Sequence, residues 1–226
     1  MTKGYFVTAT GTDVGKTFVT ALLVKKWRDS GINAGYYKAA LSGAELCDGK
    51  WIAGDADYVK RIAHLPDTQE QLVSFVYKEA VSPHLAARKE GNAVEMKKVL
   101  ADFKDACSRH DFIFAEGSGG IICPIRKDKE QTIFLEDIIK ALGLPIIIVT
   151  TATLGSINAC VLTAEYAKSH NIPIGGIIVN RYGISNNIEM EDDNIAMIKE
   201  ITGLEILAKI KQGDLDLDIR IENWCN

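Results

Sequence analysis

The chain has 226 residues, which at roughly 150 residues per domain favours one large domain over two small ones. Apolar residues make up 47% and charged residues 25% of it, values that exclude a disordered chain, a collagen and a coiled coil. Acids outnumber bases by 30 to 26, a net charge of −4, so no chain-wide electrostatic pull toward nucleic acid or an anionic membrane exists.

The apolar run that follows Met1-Thr2-Lys3-Gly4 ends near Ala9, too short for the core of a secretory leader. The longest apolar stretch, Leu144 to Val149, falls far below the ~18 residues that cross a bilayer. A cytoplasmic protein with no membrane span is expected. The five cysteines (Cys47, Cys107, Cys123, Cys160, Cys225) are odd in number, scattered and without a C-x-x-C pair. They predict reduced, mostly buried thiols, with no disulfide framework and no zinc site. Repeats, low-complexity tracts and domain boundaries are absent, so residues 1–226 are expected to form a single domain.

In chain order, apolar β-rich runs alternate with stretches of helical spacing. A strand at Tyr5 to Ala9 precedes a helix at Thr17 to Ser30, and a strand at Ala34 to Lys38 precedes helices at Asp55 to His64 and Ala93 to Arg109. Strands follow at Phe112 to Glu116, Pro145 to Thr150 and Ile174 to Asn180, separated by helices at Thr132 to Leu142 and Ser156 to His170, with a last helix at Asp192 to Ile201. The strands are nearly continuous in apolar residues, as when helices cover both faces of a sheet. The pattern predicts the α/β class, a single doubly wound, mostly parallel sheet with helices on both faces. In such a sheet ligands sit beyond the carboxyl ends of the strands, so the residues just after each strand carry the chemistry.

After the first strand comes Ala9-Thr10-Gly11-Thr12-Asp13-Val14-Gly15-Lys16-Thr17 and then a helix. Small residues let successive N–H groups converge on phosphate, the helix N-terminus adds positive potential, Lys16 reaches the β and γ phosphates, and the Thr17 hydroxyl suits Mg²⁺. The consensus asks for Gly where Thr10 stands, with Ala9 one place earlier, so this is a variant phosphate loop of the P-loop NTPase kind. The strand ending at Glu116 leads into Gly117-Ser118-Gly119-Gly120. An acid at a strand tip can hold Mg²⁺, and the glycines leave room for phosphate or substrate. Asp55 opens a helix and by itself reads as a cap. Lys38, followed by Ala39-Ala40-Leu41-Ser42-Gly43, is a second cation at a strand's carboxyl end aimed at the same crevice. Leu154-Gly155-Ser156-Ile157-Asn158 opens a helix and offers unpaired N–H groups to an anion.

Taken in order, Thr12 to Thr17 (T-x-V-G-K-T), Lys38 to Gly43 (K-x-x-x-S-G), Asp55, Ser82-Pro83-His84, Glu116 to Gly120, Leu154 to Asn158 and Val179-Asn180 resemble the dethiobiotin synthetase family over nearly the whole chain. The resemblance implies ATP and Mg²⁺ as cofactors, and 7,8-diaminopelargonic acid and CO₂ as substrates. One amine captures CO₂ as a carbamate, the carbamate oxygen attacks the γ-phosphate, and the second amine closes on the mixed anhydride and releases phosphate. By position, the loop from Asp13 through Val14, Gly15, Lys16 and Thr17 to Phe18 binds phosphates, and Thr17, Asp55 and Glu116 hold Mg²⁺. Lys38 is the catalytic lysine, with Lys16 beside it, and Thr12 and Ser42 meet the reacting end of the substrate. Gly117, Ser118 and Gly119 line the nucleotide site, and Asn180 with Arg181 frames the base. Gly155, Ser156, Ile157 and Asn158 take the substrate's distant carboxylate, in this family from the other subunit of a homodimer.

The chain departs from the family pattern at Ala9, at Asp13 where Glu is usual, at Arg181 where Asp is common, and at Ala208-Lys209-Ile210-Lys211 in place of G-x-I-P. His84 is expected to hydrogen-bond structurally, and the four histidines offer no dyad. Among rivals, a septum- or chromosome-positioning ATPase would carry an early loop lysine, K-G-G-x-G-K-T, which this loop lacks. A cobyrinate amidating synthetase needs a glutamine-hydrolysing domain that 226 residues do not accommodate. In a nucleotide-binding regulatory ATPase, Lys38 with Ser42 would have no purpose.

Overall fold

The computed structural model describes residues 3–221 and Trp224; the thiol expected at Cys225 and the start at Met1-Thr2 lie outside the described residues. Its elements in chain order are β1 (Lys3–Ala9), α1 (Lys16–Asp29), β2 (Ala34–Ser42), β3 (Glu45–Cys47), β4 (Lys50–Ile52), α2 (Gly54–Ala63), α3 (Gln69–Leu72), β5 (Val73–Tyr77), α4 (Pro83–Glu90) and α5 (Met96–Arg109). They continue as β6 (Phe112–Glu116), β7 (Pro124–Lys127), β8 (Thr132–Phe134), α6 (Leu135–Leu142), β9 (Ile146–Thr150), α7 (Ser156–Ser169), β10 (Ile174–Tyr182), α8 (Ile188–Thr202) and β11 (Ile206–Lys211). Seven strands form one sheet in the order β11-β10-β9-β1-β6-β2-β5, and every adjacent pair is parallel.

Alternation along the strands builds two cores. Phe6 and Tyr37 face the layer of α4 to α8, where Phe103, Ile138, Ala164 and Ile198 pack. Val7 and Tyr36 face α1, α2 and the C-terminal stretch, where Val19, Leu23, Trp27, Val59 and Trp224 pack. The central strands are buried on both sides, which accounts for their continuous apolar sequence. β1 lies between β6 and β9. The chain therefore leaves it in one direction and returns on its other side, placing a crevice at its carboxyl end.

The five expected strands are present: β1, β2 and β10 are longer by two to four residues, β6 has the expected bounds and β9 starts one residue later, and the helices differ at their ends. The helix expected from Thr132 starts at Leu135 instead, because Thr132–Phe134 pairs with β7 and Asp137 Oδ2 accepts from Phe134 N at 2.8 Å, capping the helix there. Two edge strands were not anticipated. β5 and β11 alternate buried with more exposed positions, so they lack the apolar run that marks the interior ones. Cys123 and Cys160 are buried, Cys107 is half-buried and Cys47 is exposed. Among the described residues no helix is long and apolar enough to cross a membrane.

Candidate active site

Register alone brings the acid and the lysine together. Glu116, the last residue of β6, pairs with Val7 of β1 on one side and Lys38 of β2 on the other, so Lys38 and Glu116 are neighbours at the sheet's carboxyl edge. The Lys38 Nζ stands 2.7 Å from Glu116 Oε1, 2.6 Å from Asp55 Oδ2 and 3.4 Å from Gly117 O. Asp55 reaches this point from the first turn of α2. The Thr17 hydroxyl, in the first turn of α1, lies 3.0 Å from Asp55 Oδ1 and 2.9 Å from Glu116 Oε1. Burial pulls the Lys38 ammonium down, but Glu116 and Asp55 more than reverse this and hold its pKa above the ordinary value. Burial likewise pushes the Asp55 carboxyl up, and Lys38 and Thr17 outweigh it, leaving the group below its usual range. Both charges therefore persist at neutral pH.

Tyr36 completes the cluster and was not singled out from the sequence. Its hydroxyl donates to Glu116 Oε2 at 3.1 Å, and burial, with Glu116 next, raises its pKa far above the usual phenol value. Its signal was its position two residues before Lys38 on the same strand face. Both Glu116 oxygens are thus engaged, with the side chain fully buried.

Thr10 to Gly15 wraps from β1 into α1. Asp13 and Gly15 adopt left-handed backbone, φ 58° and 93°. A Cβ on Gly15 would lie 2.1 Å from the Asn180 side-chain nitrogen, so this position needs glycine for both conformation and space. A Cβ on Gly117 would meet Leu135 at 2.8 Å and Phe6 at 3.0 Å, which keeps that turn pressed against the core. Lys16 is buried and its Nζ lies 3.4 Å from Gly11 O; burial lowers its pKa. Lys38 hydrogen-bonds both acids, whereas Lys16 feels the charges of Glu116 and Asp55 with its Nζ turned toward its own loop at Gly11 O.

A cavity of about 830 Å³ opens over these groups. Its walls include Thr12, Asp13, Gly15, Lys16, Thr17, Lys38, Ser42, Asp55, Glu116, Gly117, Ser118, Gly119 and Arg181, together with Cys123 and the segment Ala80 to Pro83. Ser118 Oγ donates to Ala40 O at 2.7 Å, tying the glycine-rich turn to β2. Val14, Phe18 and Asn180 stand behind the loop: Asn180 is 2% exposed and its Nδ2 donates to Val14 O at 2.8 Å. Its Oδ1 is buried with no hydrogen-bond partner among the described residues. Gly155, Ser156, Ile157 and Asn158 are not among the cavity walls. Gly155 caps α7 at φ 90°, and Ser156 is 6% exposed with an unpartnered Oγ. His84 was expected to hydrogen-bond structurally, but its Nδ1 is buried without a partner among the described residues. The histidines do form one close acid pair, His110 with Asp67 at 3.0 Å, at the opposite ends of the strands from the crevice.

Both ligands implied for this crevice can be tested against these atoms. The unpartnered Asn180 Oδ1, buried beside the loop, is an acceptor of the kind a base amine needs, and Gly15, Lys16 and Thr17 line the cavity at the helix N-terminus where phosphate would sit. Among the described residues no group of three or more His, Cys, Asp or Glu converges as a metal centre. Two carboxylates and one hydroxyl do converge, an all-oxygen set of the kind Mg²⁺ takes while keeping water and sharing phosphate. The residues fit both.

Residues 3–215 match a family model described as an AAA domain. The ATP-dependent dethiobiotin synthetase of Clostridium botulinum strain Eklund 17B is 50% identical over 222 residues, 98% of this chain and 96% of the relative. That of Brachyspira hyodysenteriae is 50% identical over 219 residues, 96% of each chain. Among solved structures, the MinC:MinD cell division complex of Aquifex aeolicus aligns with a TM-score of 0.55 at 14% identity over 93% of this chain and 81% of that one. A ParA family ATPase of Chlorobium tepidum aligns at 0.54 and 16% over 95% and 86%. These two share the fold alone, whereas the synthetases share half of all residues along nearly the full length: the chain belongs to the ATP-dependent dethiobiotin synthetase family.

Proposed function

We propose that the crevice closes the ureido ring of dethiobiotin from 7,8-diaminopelargonic acid, CO₂ and ATP, as one domain of a cytoplasmic homodimer. The observation that carries the assignment of roles is the convergence of Lys38, Asp55, Glu116 and Thr17 within hydrogen-bond distance at the mouth of a phosphate loop. Lys16 and the amides from Asp13 to Phe18 bind the phosphates, and Asn180 and Arg181 frame the base. Thr17, Asp55 and Glu116 would hold Mg²⁺, which supplies charge neutralisation for the phosphates.

Thr12 and Ser42 orient the diamine. One amine nitrogen bonds to the carbon of CO₂ and loses a proton, giving a carbamate. The Lys38 ammonium stabilises the carbamate's negative charge and then the charge on the phosphoryl group as the carbamate oxygen displaces ADP. The second amine attacks the carbonyl carbon and loses a proton as phosphate leaves, and the ring is closed. Gly117 and Ser118, fixed to β2 through Ala40, hold the turn that bounds this space. The start of α7, Gly155 to Asn158, takes the distal carboxylate in the partner's site. The buried, unpartnered Ser156 Oγ and the exposed Leu154 and Leu162 nearby, 89% and 61% accessible, support that role and a subunit contact there.

Incubation with the diamine, ¹³C-bicarbonate, ATP and Mg²⁺ is expected to give dethiobiotin with the label in the ureido carbonyl, read by mass spectrometry. Recovery of the diamine unchanged would contradict the assignment.

A further inference from the structure

Glu191, in the first turn of α8, is fully buried and forms no ion pair with a cation among the described residues. Its carboxylate is instead filled by one short stretch of chain. Gly183 N donates to Oε2 at 2.5 Å, Ser185 N donates to Oε1 at 2.8 Å, and the Ser185 hydroxyl donates to Oε1 as well. Burial pushes this carboxyl up, and the bonds from Ser185 and Gly183 outweigh it and hold its pKa below the usual value. A desolvated charge is costly unless hydrogen-bonded. Here the acceptor capacity goes to the turn that leaves β10.

That turn is irregular and needs such an anchor. Arg181, Gly183 and Asn186 all have left-handed backbone, φ 57°, 85° and 58°, and Ile184 N→Arg181 O at 3.2 Å closes the chain back on itself. Arg181 is non-glycine in a strained region, yet it stands in the wall of the phosphate cavity, next to Asn180 with its unpartnered Oδ1. On its other side the stretch is clamped by Tyr182 to Asp192 at 2.9 Å and Lys209 to Asp192 at 2.7 Å. The elements packed here thus present Asp192, Lys209 and Tyr182 outside and Glu191 inside.

We infer that Glu191 is a positioning residue for nucleotide: by holding the Gly183 to Ser185 backbone it sets Arg181 against the phosphate cavity and keeps the Asn180 amide oriented for the base. This rests on the nucleotide reading of the crevice given above. Glu191→Gln keeps the shape but turns an N–H₂ group toward backbone donors. The expected result is a roughly 10-fold weaker Kd for ADP by calorimetry and an equal rise in KM for ATP, as for leaving a buried donor unsatisfied. At saturating ATP, kcat stays within about 2-fold and KM for the diamine does not move, the split that separates lost nucleotide binding from lost transition-state stabilisation. Ser185→Ala removes one donor, spares the carboxylate and is expected to shift the ADP Kd in the same direction by about 3-fold, which keeps the test decisive if Glu191→Gln does not fold. A lowered melting temperature with an unchanged ADP Kd in both variants would overturn the inference and leave Glu191 a purely structural anchor. Wild-type protein that binds no ADP would instead sink the nucleotide reading itself.

Discussion

Lys38 and Glu116 form an ion pair 2.7 Å long in which the two side chains are 3% and 0% exposed. Breaking such a pair leaves one buried charge uncompensated, which costs about 3–5 kcal/mol. Lys38→Ala is therefore expected to lower the melting temperature as well as activity. Turnover should fall by at least about 10²-fold, the cost of losing one transition-state charge stabiliser, with ADP affinity little changed. Calorimetric titration of the folded variant checks this; loss of nucleotide binding would reassign Lys38 to the phosphates.

Gly15→Ala introduces a Cβ where φ is 93° and the Asn180 nitrogen would be 2.1 Å away. The loop or Asn180 must move. A drop of roughly 10-fold or more in ADP affinity is expected, with about 1–3 kcal/mol of backbone strain. Fluorescence titration with a labelled nucleotide reads the first, and denaturant unfolding reads the second.

Thr17 and Lys38 share Glu116 Oε1. Glu116→Gln and Thr17→Val each remove one oxygen-donor function from the set that suits Mg²⁺, and each is expected to raise the Mg²⁺ concentration needed for half-maximal activity by about 10-fold. Titration of activity against Mg²⁺ at fixed ATP measures the shift. An unaltered requirement in both variants would remove these residues from the metal site.

Much of this site was legible because its parts lie at strand ends that announce themselves. β1 and β6 are nearly continuous apolar runs, so the loop at Thr12 to Thr17 and the acid at Glu116 could be placed without knowing the sheet order. Lys38 was legible as a strand-end cation, but its pairing with Glu116 comes from β2 lying beside β6, a neighbour relation that no local pattern encodes. The same holds for Tyr36, whose only local mark is its spacing from Lys38. His110 and Asp67 are 43 positions apart and meet only because the chain brings the turn before α3 against the end of α5. The edge strands β5 and β11 escaped because half their residues face away from the core, and the sequence at Ala208 to Lys211 reads as polar for that reason.

The placement of Gly155 to Asn158 away from the cavity of its own chain makes a prediction about mixing subunits. Lys38→Ala and Ser156→Asp are each expected to be inactive, the second by setting a carboxylate against the substrate's own. Unfolded and refolded together in equal amounts they should recover about a quarter of wild-type activity, since half of the dimers are mixed and each holds one intact site. No recovery from folded, mixed dimers would place the α7 start outside the partner's site.

The Asp67 carboxyl is sealed against His110 and Arg109. Burial pushes it up, but hydrogen bonds from His110 and Arg109 outweigh this and hold its pKa below the ordinary 3.8. A folded-state pKa below the unfolded one adds stability that is fully present above the unfolded value and disappears as pH falls through the folded value. Asp67→Asn is accordingly expected to be less stable than wild type by roughly 1–3 kcal/mol at pH 7, with the gap closing at pH below the ordinary value of 3.8. Denaturant unfolding of both proteins across pH checks it; a gap that widens in acid would contradict the sign.

If ATP turnover in this crevice serves ring closure, it is coupled to both other substrates. Phosphate release measured with ATP and Mg²⁺, with each of diaminopelargonic acid and CO₂ omitted in turn, tests it most directly. Release is expected only when both are present, in equal amount to the dethiobiotin formed. Equal release without the diamine would contradict it.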